Sequence, residues 1–204
     1  KLVKSLYKIN PYIFLNGYCL TRNRFKRKNN IKLPKKFVLF NGSYSYWPNK
    51  IAIDNIFKFY YKKILIKNNK INFVFTGHNF PEKYKYKDNV IFFNNLNDND
   101  YKFVLKKAKL LFLPLPMAPG TKVKVIEALC EDKFVVASKS SFLGIKLYNK
   151  QKNFIYKNRS DALKKIFIFL NSNKKKEKNL YKQKYIYKNI VNNFLKENRE
   201  ILYK

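Results

Sequence analysis

Apolar runs of strand length alternate with amphipathic stretches along most of this chain. The runs rich in valine, isoleucine, leucine and phenylalanine are 36–40, 71–77, 89–93, 110–113 and 134–137. Continuous apolar runs of this length predict strands that are covered on both faces, as in parallel sheets. Between them, apolar residues recur at helical spacing, for example Ile53, Ile56 and Tyr60. The sequence therefore predicts an α/β fold, with a Rossmann-like parallel sheet and helices on both faces.

The helices are predicted from capping residues and apolar periodicity. The predicted caps are Asn49, Asp98 or Asn99, and Ser160–Asp161. A break at Pro119-Gly120-Thr121 opens a further helix, with Val123, Ile126 and Cys130 facing inward. The basic segment 181–203 predicts one long helix.

Three segments are predicted from these elements. Residues 36–172 are expected to form one Rossmann-like domain, and residues 173–204 to carry the basic C-terminal helix. We interpret residues 1–35, with a short strand candidate at 12–15, as the end of a missing N-terminal domain and a linker. A frayed N-terminus is the alternative. Since the first residue is Lys1 and not methionine, we expect a fragment or a chain with a trimmed start.

The unit formed by the last two strands and the helix between them carries the most chemistry. Gly120 and Thr121 at a helix start leave backbone N–H groups pointing outward, and the helix end adds about half a positive charge. Lys122 and Lys124 add full charges. Thr121, Lys124 and Glu127 are spaced by three and therefore share one edge of the helix. Hydrogen-bond donors for phosphate, followed along the helix by a carboxylate, fit a nucleoside diphosphate whose ribose diol binds the carboxylate.

These segments resemble a known family. Residues 120–129 read GTKVKVIEAL, residues 134–138 read FVVAS, and residues 143–145 read LGI. This order resembles the signature of family-4 glycosyltransferases of the GT-B fold. The resemblance implies the C-terminal, donor-binding half of such an enzyme, in which Glu127 binds the ribose of the sugar nucleotide. Many members carry a second glutamate where this chain has Pro119, so we assign no catalytic residue in this chain.

The resemblance extends to three loops that precede the central helix. Gly42 and Ser43 resemble the family's first strand-to-helix loop, which implies contact with the donor phosphate; a plain tight turn is the alternative. Gly77 ends a strand that also ends in glycine near the donor in the family. Asn95 lies in the loop that meets the nucleobase through backbone groups. The predicted donor-binding residues are Gly42, Ser43, Gly77, Asn95, Gly120, Thr121, Lys122, Lys124 and Glu127.

The resemblance also implies a reaction and its partners. A glycosyl group moves from a nucleotide-sugar donor to a glycan or lipid-linked acceptor, with retention of configuration and without a metal or other cofactor. The acceptor site and the catalytic histidine belong to an N-terminal domain that this sequence lacks. We therefore expect this chain alone to be inactive, and an inactive nucleotide-binding remnant is an open alternative.

Positive charge raises a different class of function. Lysine and arginine number 45 against 12 acidic residues, which gives a formal net charge of +33. Such a balance fits nucleic acid or an anionic membrane surface. Only five of the basic residues are arginine, the preferred contact for phosphates and bases. Lysine is also mixed with Asn, Ile, Tyr and Phe, as compositional drift in an A/T-rich genome would produce. A basic nucleic-acid-binding domain is thus the weaker alternative, and an anionic membrane surface stays a candidate partner.

The remaining features exclude several classes of protein. No apolar run reaches about 18 residues, so no spanning helix is expected. Cys19 and Cys130 are far apart and fit reduced, buried thiols, and the single histidine, His78, argues against a metal cluster. We expect a cytoplasmic protein, either free or peripheral at the inner membrane face.

Overall fold

In the computed structural model, five parallel strands form one sheet in the order β3-β2-β1-β4-β5. The strands are β1 Phe37–Asn41, β2 Asn72–Gly77, β3 Val90–Asn94, β4 Leu110–Leu113 and β5 Phe134–Ala137. Each lies within one residue of a predicted run, which confirms the α/β parallel sheet. The structure describes residues 15–18, 31–117, 119–148, 154–172 and 179–197.

Burial on both faces explains why the strands show no polar alternation. Leu39 of β1 pairs with Val74 of β2 on one side and with Leu111 of β4 on the other. All three side chains are fully buried. On the outer half of the sheet, Phe75 stacks on Phe92 with ring centroids 4.9 Å apart. The strands therefore need apolar residues at consecutive positions.

Helices cover both faces of the sheet. They are α1 Trp47–Asn55, a π-helical segment Ile56–Tyr61, α2 Lys62–Lys67, α3 Glu82–Lys85, α4 Asp98–Lys107, α5 Val123–Cys130, α6 Arg159–Asn171, α7 Leu180–Tyr185 and α8 Tyr187–Glu197. The chain steps from β1 to β3 in one direction and from β4 to β5 in the other, so right-handed crossovers put α1 and α5 on opposite faces. Contacts agree with this division. Tyr101 of α4 reaches Glu127 of α5, whereas Arg159 of α6 lies 3.4 Å from the ring centroid of Phe59 in the π-helical segment.

Two of the predicted helix caps are displaced by neighbouring asparagines. Asn97, and not Asp98 or Asn99, caps α4, where its Oδ1 accepts two backbone N–H groups of the first turn at 3.0 Å each. Asn158, and not Ser160–Asp161, caps α6. Both predictions were wrong because several polar residues adjoin each start, and only the one with extended backbone can cap.

The predicted long basic helix is two helices, α7 and α8, separated at Ile186. Ile186 forms a parallel bridge with Tyr18 from the N-terminal segment. The Tyr18 N–H donates to the Tyr185 carbonyl at 2.6 Å, and the Tyr187 N–H donates to the Tyr18 carbonyl at 3.2 Å. Tyr18 therefore takes backbone groups that a continuous helix would pair internally.

Parts of three predictions lie outside the described residues. These are the strand candidate before Leu15, the C-terminal helix beyond Glu197, and Cys19. Cys130, the other cysteine, is buried on α5 as predicted.

Candidate functional site

The carboxyl ends of β1 and β4 meet where the strand order reverses. The two strands are neighbours, but the chain leaves β1 toward β2 and leaves β4 toward β5. Their outgoing loops therefore diverge and open a crevice, which is where open α/β sheets bind ligands. Every predicted donor-binding residue lies in a loop after a strand, at a strand's carboxyl end or in α5.

Two glycines bring the loops after β1 and β2 into backbone contact. Gly77 has φ +152°, and a Cβ at this position would lie 2.5 Å from the carbonyl oxygen of Gly42. The Gly42 N–H donates to the Thr76 carbonyl at 2.8 Å. The Asn95 N–H, in the loop after β3, donates to the Gly77 carbonyl at 2.9 Å. Gly42, Gly77 and Asn95 are thus brought together at one end of the sheet.

Asn49 holds Ser43 against the start of α1. Its side chain is buried, and its amide nitrogen donates to the Ser43 carbonyl at 3.0 Å. The prediction of Asn49 as a helix cap was wrong, because α1 already begins at Trp47 with Pro48 in its first turn. The asparagine is thereby freed to organise the loop.

The loop before α5 has open space at Gly120 and is supported by contacts of Thr121 and Lys122. Gly120 has φ +73°, and no atom of the described residues lies within 4 Å of where its Cβ would be. Thr121 packs against a second glycine turn, since a Cβ on Gly144 would lie 2.5 Å from the Thr121 hydroxyl oxygen. The Lys122 ammonium donates to the carbonyls of Pro119 and of Gly120, the latter at 2.7 Å. Lys122 therefore braces the loop while its charge stays beside the helix start.

Lys124 joins α5 to the loop after β1. Its ammonium donates to the main-chain carbonyl of Asn41 at 2.6 Å and to Asn49 Oδ1 at 3.1 Å. It also lies 5.6 Å from the ring centroid of Phe40. A full positive charge is thus fixed across the crevice between β1 and β4.

Glu127 lies one turn further along α5 and is held by α4. The Tyr101 hydroxyl donates to Glu127 Oε2 at 3.2 Å, and both side chains are partly buried. Lys124 and Glu127 share one helix edge as the sequence predicted, with Tyr101 as an added partner, whereas the prediction that Thr121 belongs to this edge was wrong because the helix begins only at Val123.

Burial shifts both charged groups of this helix edge. Burial, and then the nearby charge of Lys122, lower the pKa of Lys124 to about 8, while Glu127 opposes the shift. Burial also raises the pKa of the Glu127 carboxyl, which the hydrogen bond from Tyr101 partly offsets. Charges held away from water act strongly on a bound ligand.

Comparison with known proteins assigns the family. A family model described as glycosyl transferases group 1 matches residues 21–186, which is most of the chain. The chain belongs to this family. No curated protein matches it.

Several solved structures share the fold. The C-terminal domain of the group 1 protein LpcC from Francisella tularensis has a TM-score of 0.54 at 13% identity, over 81% of this chain and 86% of that one. WaaG, a glycosyltransferase involved in lipopolysaccharide biosynthesis, has 0.51 at 16% identity, over 71% of this chain and 40% of its own. TarM has 0.56 at 16% identity, over 84% of this chain and 36% of its own. The chain thus has the fold of one half of a GT-B glycosyltransferase and spans well under two thirds of WaaG.

Three polar residues that contact Lys124 or Glu127 are absent from the predicted site residues. They are Asn41, Tyr101 and Asn49, the last of which was predicted only as a helix cap. Tyr101 offered the one available signal, because a buried tyrosine hydroxyl requires a polar partner. Which partner it finds depends on the packing of α4 against α5.

The described residues contain neither a candidate membrane span nor a candidate metal site. None of the helices there combines the length and the apolar character that a membrane span requires. Within the same ranges, no three His, Cys, Asp or Glu side chains come together in a group that could hold a metal ion.

Proposed function

We propose that this chain is the donor-binding half of a family-4 glycosyltransferase and that it binds a nucleotide sugar at the crevice between β1 and β4. One observation carries the proposal: Lys124 reaches across the crevice to Asn41 and Asn49, while Glu127 follows one turn later on the same helix. A cation and then a carboxylate along one helix edge suit a diphosphate followed by a ribose diol.

The diphosphate lies at the start of α5 in this proposal. Gly120 leaves its backbone open toward the ligand, and Thr121 and Lys122 stand at the same helix end, whose N–H groups favour an anion. Lys124 supplies the fixed positive charge. An ammonium has three N–H donors, and two of those on Lys124 go to Asn41 and Asn49, so a phosphate oxygen can take the third.

The loops after β1, β2 and β3 complete the donor site. Gly42 and Ser43 border the phosphates, Gly77 supports them from below, and Asn95 lies toward the base. The hydrogen bonds that link these loops support the assignment, because a rigid rim presents its backbone groups in one geometry.

In the reaction, these residues stabilise the leaving nucleoside diphosphate. Negative charge grows on the diphosphate as the glycosyl bond breaks, and Lys124 with the α5 terminus meets it without reorganisation. This positive charge is why we propose transfer without a bound metal. Retention of configuration and a glycan or lipid-linked acceptor are proposed from the family resemblance.

We further propose that the acceptor site and the catalytic residues lie on an N-terminal domain, so that this chain alone binds donor without turnover. Residues 36–172 would form the donor domain, with 1–35 and 173–204 as flanking segments. The exposed Tyr46 and Trp47, beside the crevice, suit contact with that domain. A cytoplasmic location, with peripheral binding to an anionic membrane, would account for the net charge of +33.

A thermal-shift titration tests the donor site. UDP, GDP and ADP are compared with a random DNA oligomer at two salt concentrations. We expect one diphosphate to raise the melting temperature in a salt-tolerant way and Glu127→Ala to weaken its binding by about one to two decades, since a hydrogen bond to a charged group is lost. Addition of EDTA should leave the shift unchanged.

Glu131→Ala is the matched control. Glu131 lies just past the far end of α5, where it accepts from the Tyr18 hydroxyl at 2.6 Å, so its loss should spare diphosphate binding. A response to DNA alone that disappears in high salt would contradict the proposal and favour a nucleic-acid-binding domain.

A further inference from the structure

A line of hydrogen bonds runs from the middle of the sheet to Glu127. The Thr76 hydroxyl of β2 donates to the side-chain oxygen of Asn41 at 3.1 Å. The Asn41 side chain is hydrogen-bonded to the Tyr101 hydroxyl, and Tyr101 in turn donates to Glu127 Oε2 at 3.2 Å. The four residues come from β2, β1, α4 and α5, so the line connects separate elements.

The donors in this line all point the same way. Because Thr76 donates to the carbonyl oxygen of Asn41, the amide NH2 of Asn41 is the group that turns to Tyr101. The Tyr101 oxygen then accepts from Asn41, and its single proton goes to Glu127. Burial, and then the charge of Glu127, raise the pKa of Tyr101 far above its ordinary value, so the proton stays on the tyrosine.

Such a line fixes the orientation of a carboxylate. Two torsions near the end of a glutamate side chain are otherwise soft, and the last of them has broad minima. With Oε2 held by Tyr101, the plane of the carboxylate is set and Oε1 is presented to a ligand. Thr76 is almost fully buried, so the anchor of the line lies in the rigid sheet.

We infer that Tyr101 is a positioning residue that aims Glu127 at the ribose and so determines the preference for ribose over 2′-deoxyribose in the bound nucleotide. The inference rests on the proposed function, because it needs a nucleotide on Glu127. Tyr101 acts only through the carboxylate, and the phosphate contacts of Lys124 do not depend on it.

The experiment compares each ribonucleoside diphosphate with its 2′-deoxy counterpart by isothermal titration calorimetry. The pairs are UDP and dUDP, GDP and dGDP, and ADP and dADP. The proteins are the native chain, Tyr101→Phe, Glu127→Ala and the double variant. Tyr18→Phe is the matched control, since it removes a hydroxyl that also donates to a glutamate, Glu131, at the far end of the same helix.

We expect Tyr101→Phe to reduce the ribose preference by about tenfold, the loss typical of one hydrogen bond to a charged group. In the Glu127→Ala background, Tyr101→Phe should change the preference no further. Tyr18→Phe should keep the native preference. A role in packing alone would lower the melting temperature without changing this ratio.

Three results would overturn the inference, and they are distinguishable. If Tyr101→Phe kept the native ribose preference while Glu127→Ala lost it, the proposed donor site would be supported, but Tyr101 would have no positioning role in it. Additive effects of the two substitutions would show that Tyr101 acts independently of Glu127. Absence of binding by all six nucleotides to the native chain would defeat the proposed function itself.

Discussion

Asn41 serves both halves of the proposed donor site. Its main-chain oxygen accepts from Lys124 at 2.6 Å, and its side chain links Thr76 to Tyr101. A single residue at the end of β1 therefore helps to position both the Lys124 ammonium, proposed to bind the phosphates, and the Glu127 carboxylate, proposed to bind the ribose. Because both contacts cross between elements, a small shift of α5 against the sheet would disturb both together.

The buried ammonium of Lys124 should make diphosphate affinity depend on pH. Its pKa of about 8 lies below that of an ordinary lysine, and a bound anion favours the charged form. As pH rises through about 8, Lys124 of the free protein loses its proton. Binding of the anion must then include uptake of a proton, so the affinity for diphosphate falls. We expect about a tenfold loss of affinity between about pH 7 and pH 9, measured by calorimetry.

Lys124→Met supplies the control for this pH dependence. It should bind diphosphate weakly, with little change over the same range. An affinity of the native chain that stays level up to about pH 9 would exclude Lys124 as the phosphate contact.

Two of the glycines with positive φ, Gly77 and Gly120, should respond differently to alanine. At Gly77, a Cβ would meet the Gly42 carbonyl oxygen at 2.5 Å with φ at +152°, so both strain and a backbone clash oppose the change. We expect Gly77→Ala to lower the free energy of unfolding by about 3 kcal/mol. At Gly120 the space around a new Cβ is open and only the strain of φ +73° opposes alanine. We therefore expect Gly120→Ala to lower the free energy of unfolding by about 1 kcal/mol.

Urea denaturation measures both changes, and a diphosphate titration separates them further. Gly120→Ala should reduce the affinity for diphosphate more than it reduces the free energy of unfolding, because the new methyl group projects into the open space before α5. Equal destabilisation by the two substitutions would mean that the clash at Gly77 is relieved by movement of the loop.

Of the predicted site residues, Lys124 and Glu127 are placed by their spacing within one helix. Lys124 and Glu127 share an edge because they lie three residues apart, whatever packs around them. Lys122 lies on the same segment, but its ammonium turns back to its own loop, which spacing alone does not reveal. Tyr101 and Asn41 meet only because α4 and β1 converge on α5, and that requires the tertiary structure.

At the level of elements, strands were easier to predict than helix starts. A central parallel strand is marked by every residue in it, since both faces are buried. A helix start depends on which of several adjacent polar residues has extended backbone, and at α4 three candidates, Asn97, Asp98 and Asn99, stand in a row. The break at Ile186 was equally hidden, because its cause is Tyr18, far away in the sequence.

The cap of α4 provides a test at this scale. Asn97→Ala removes a side chain that accepts two backbone N–H groups at 3.0 Å and also donates to Asp100 Oδ2 at 2.8 Å. We expect it to lower the free energy of unfolding by about 1 kcal/mol in urea denaturation. Asn99→Ala, inside the first turn, is the matched control and should cost much less. A larger loss of stability in Asn99→Ala than in Asn97→Ala would show that Asn99 caps α4, as the sequence predicted.

For the whole molecule, the scarcity of acidic residues shapes how the tyrosines are paired. Asp54 accepts from the Tyr44 hydroxyl at 2.9 Å and from the Tyr84 hydroxyl at 2.7 Å, and it lies 3.9 Å from Lys83. Glu127 and Glu131 each accept from a tyrosine as well. Asp54, Glu127 and Glu131, three of the chain's 12 acidic residues, therefore anchor tyrosine hydroxyl groups.

This pairing should make the folded chain sensitive to alkali. Burial, followed by the hydrogen bond to Asp54, raises the pKa of Tyr44 to about 12, and burial raises that of Tyr181 to about 12. An unfolded tyrosine ionises near 10, so the folded state holds protons that the unfolded state releases. The resulting stability is complete below about pH 10 and is lost as pH rises toward about 12.

Phenolate absorbance checks this directly. Titrated from about pH 9 to pH 12, the native chain should ionise most of its tyrosines at higher pH than the chain unfolded in guanidinium chloride, and its melting temperature should fall over the same range. Tyr181→Phe should remove absorbance amplitude near pH 12. Superimposable native and unfolded curves would mean that the tyrosine hydroxyls are open to solvent, and the anchoring of hydroxyls by the scarce carboxylates would then have to be abandoned, that of Tyr101 by Glu127 included.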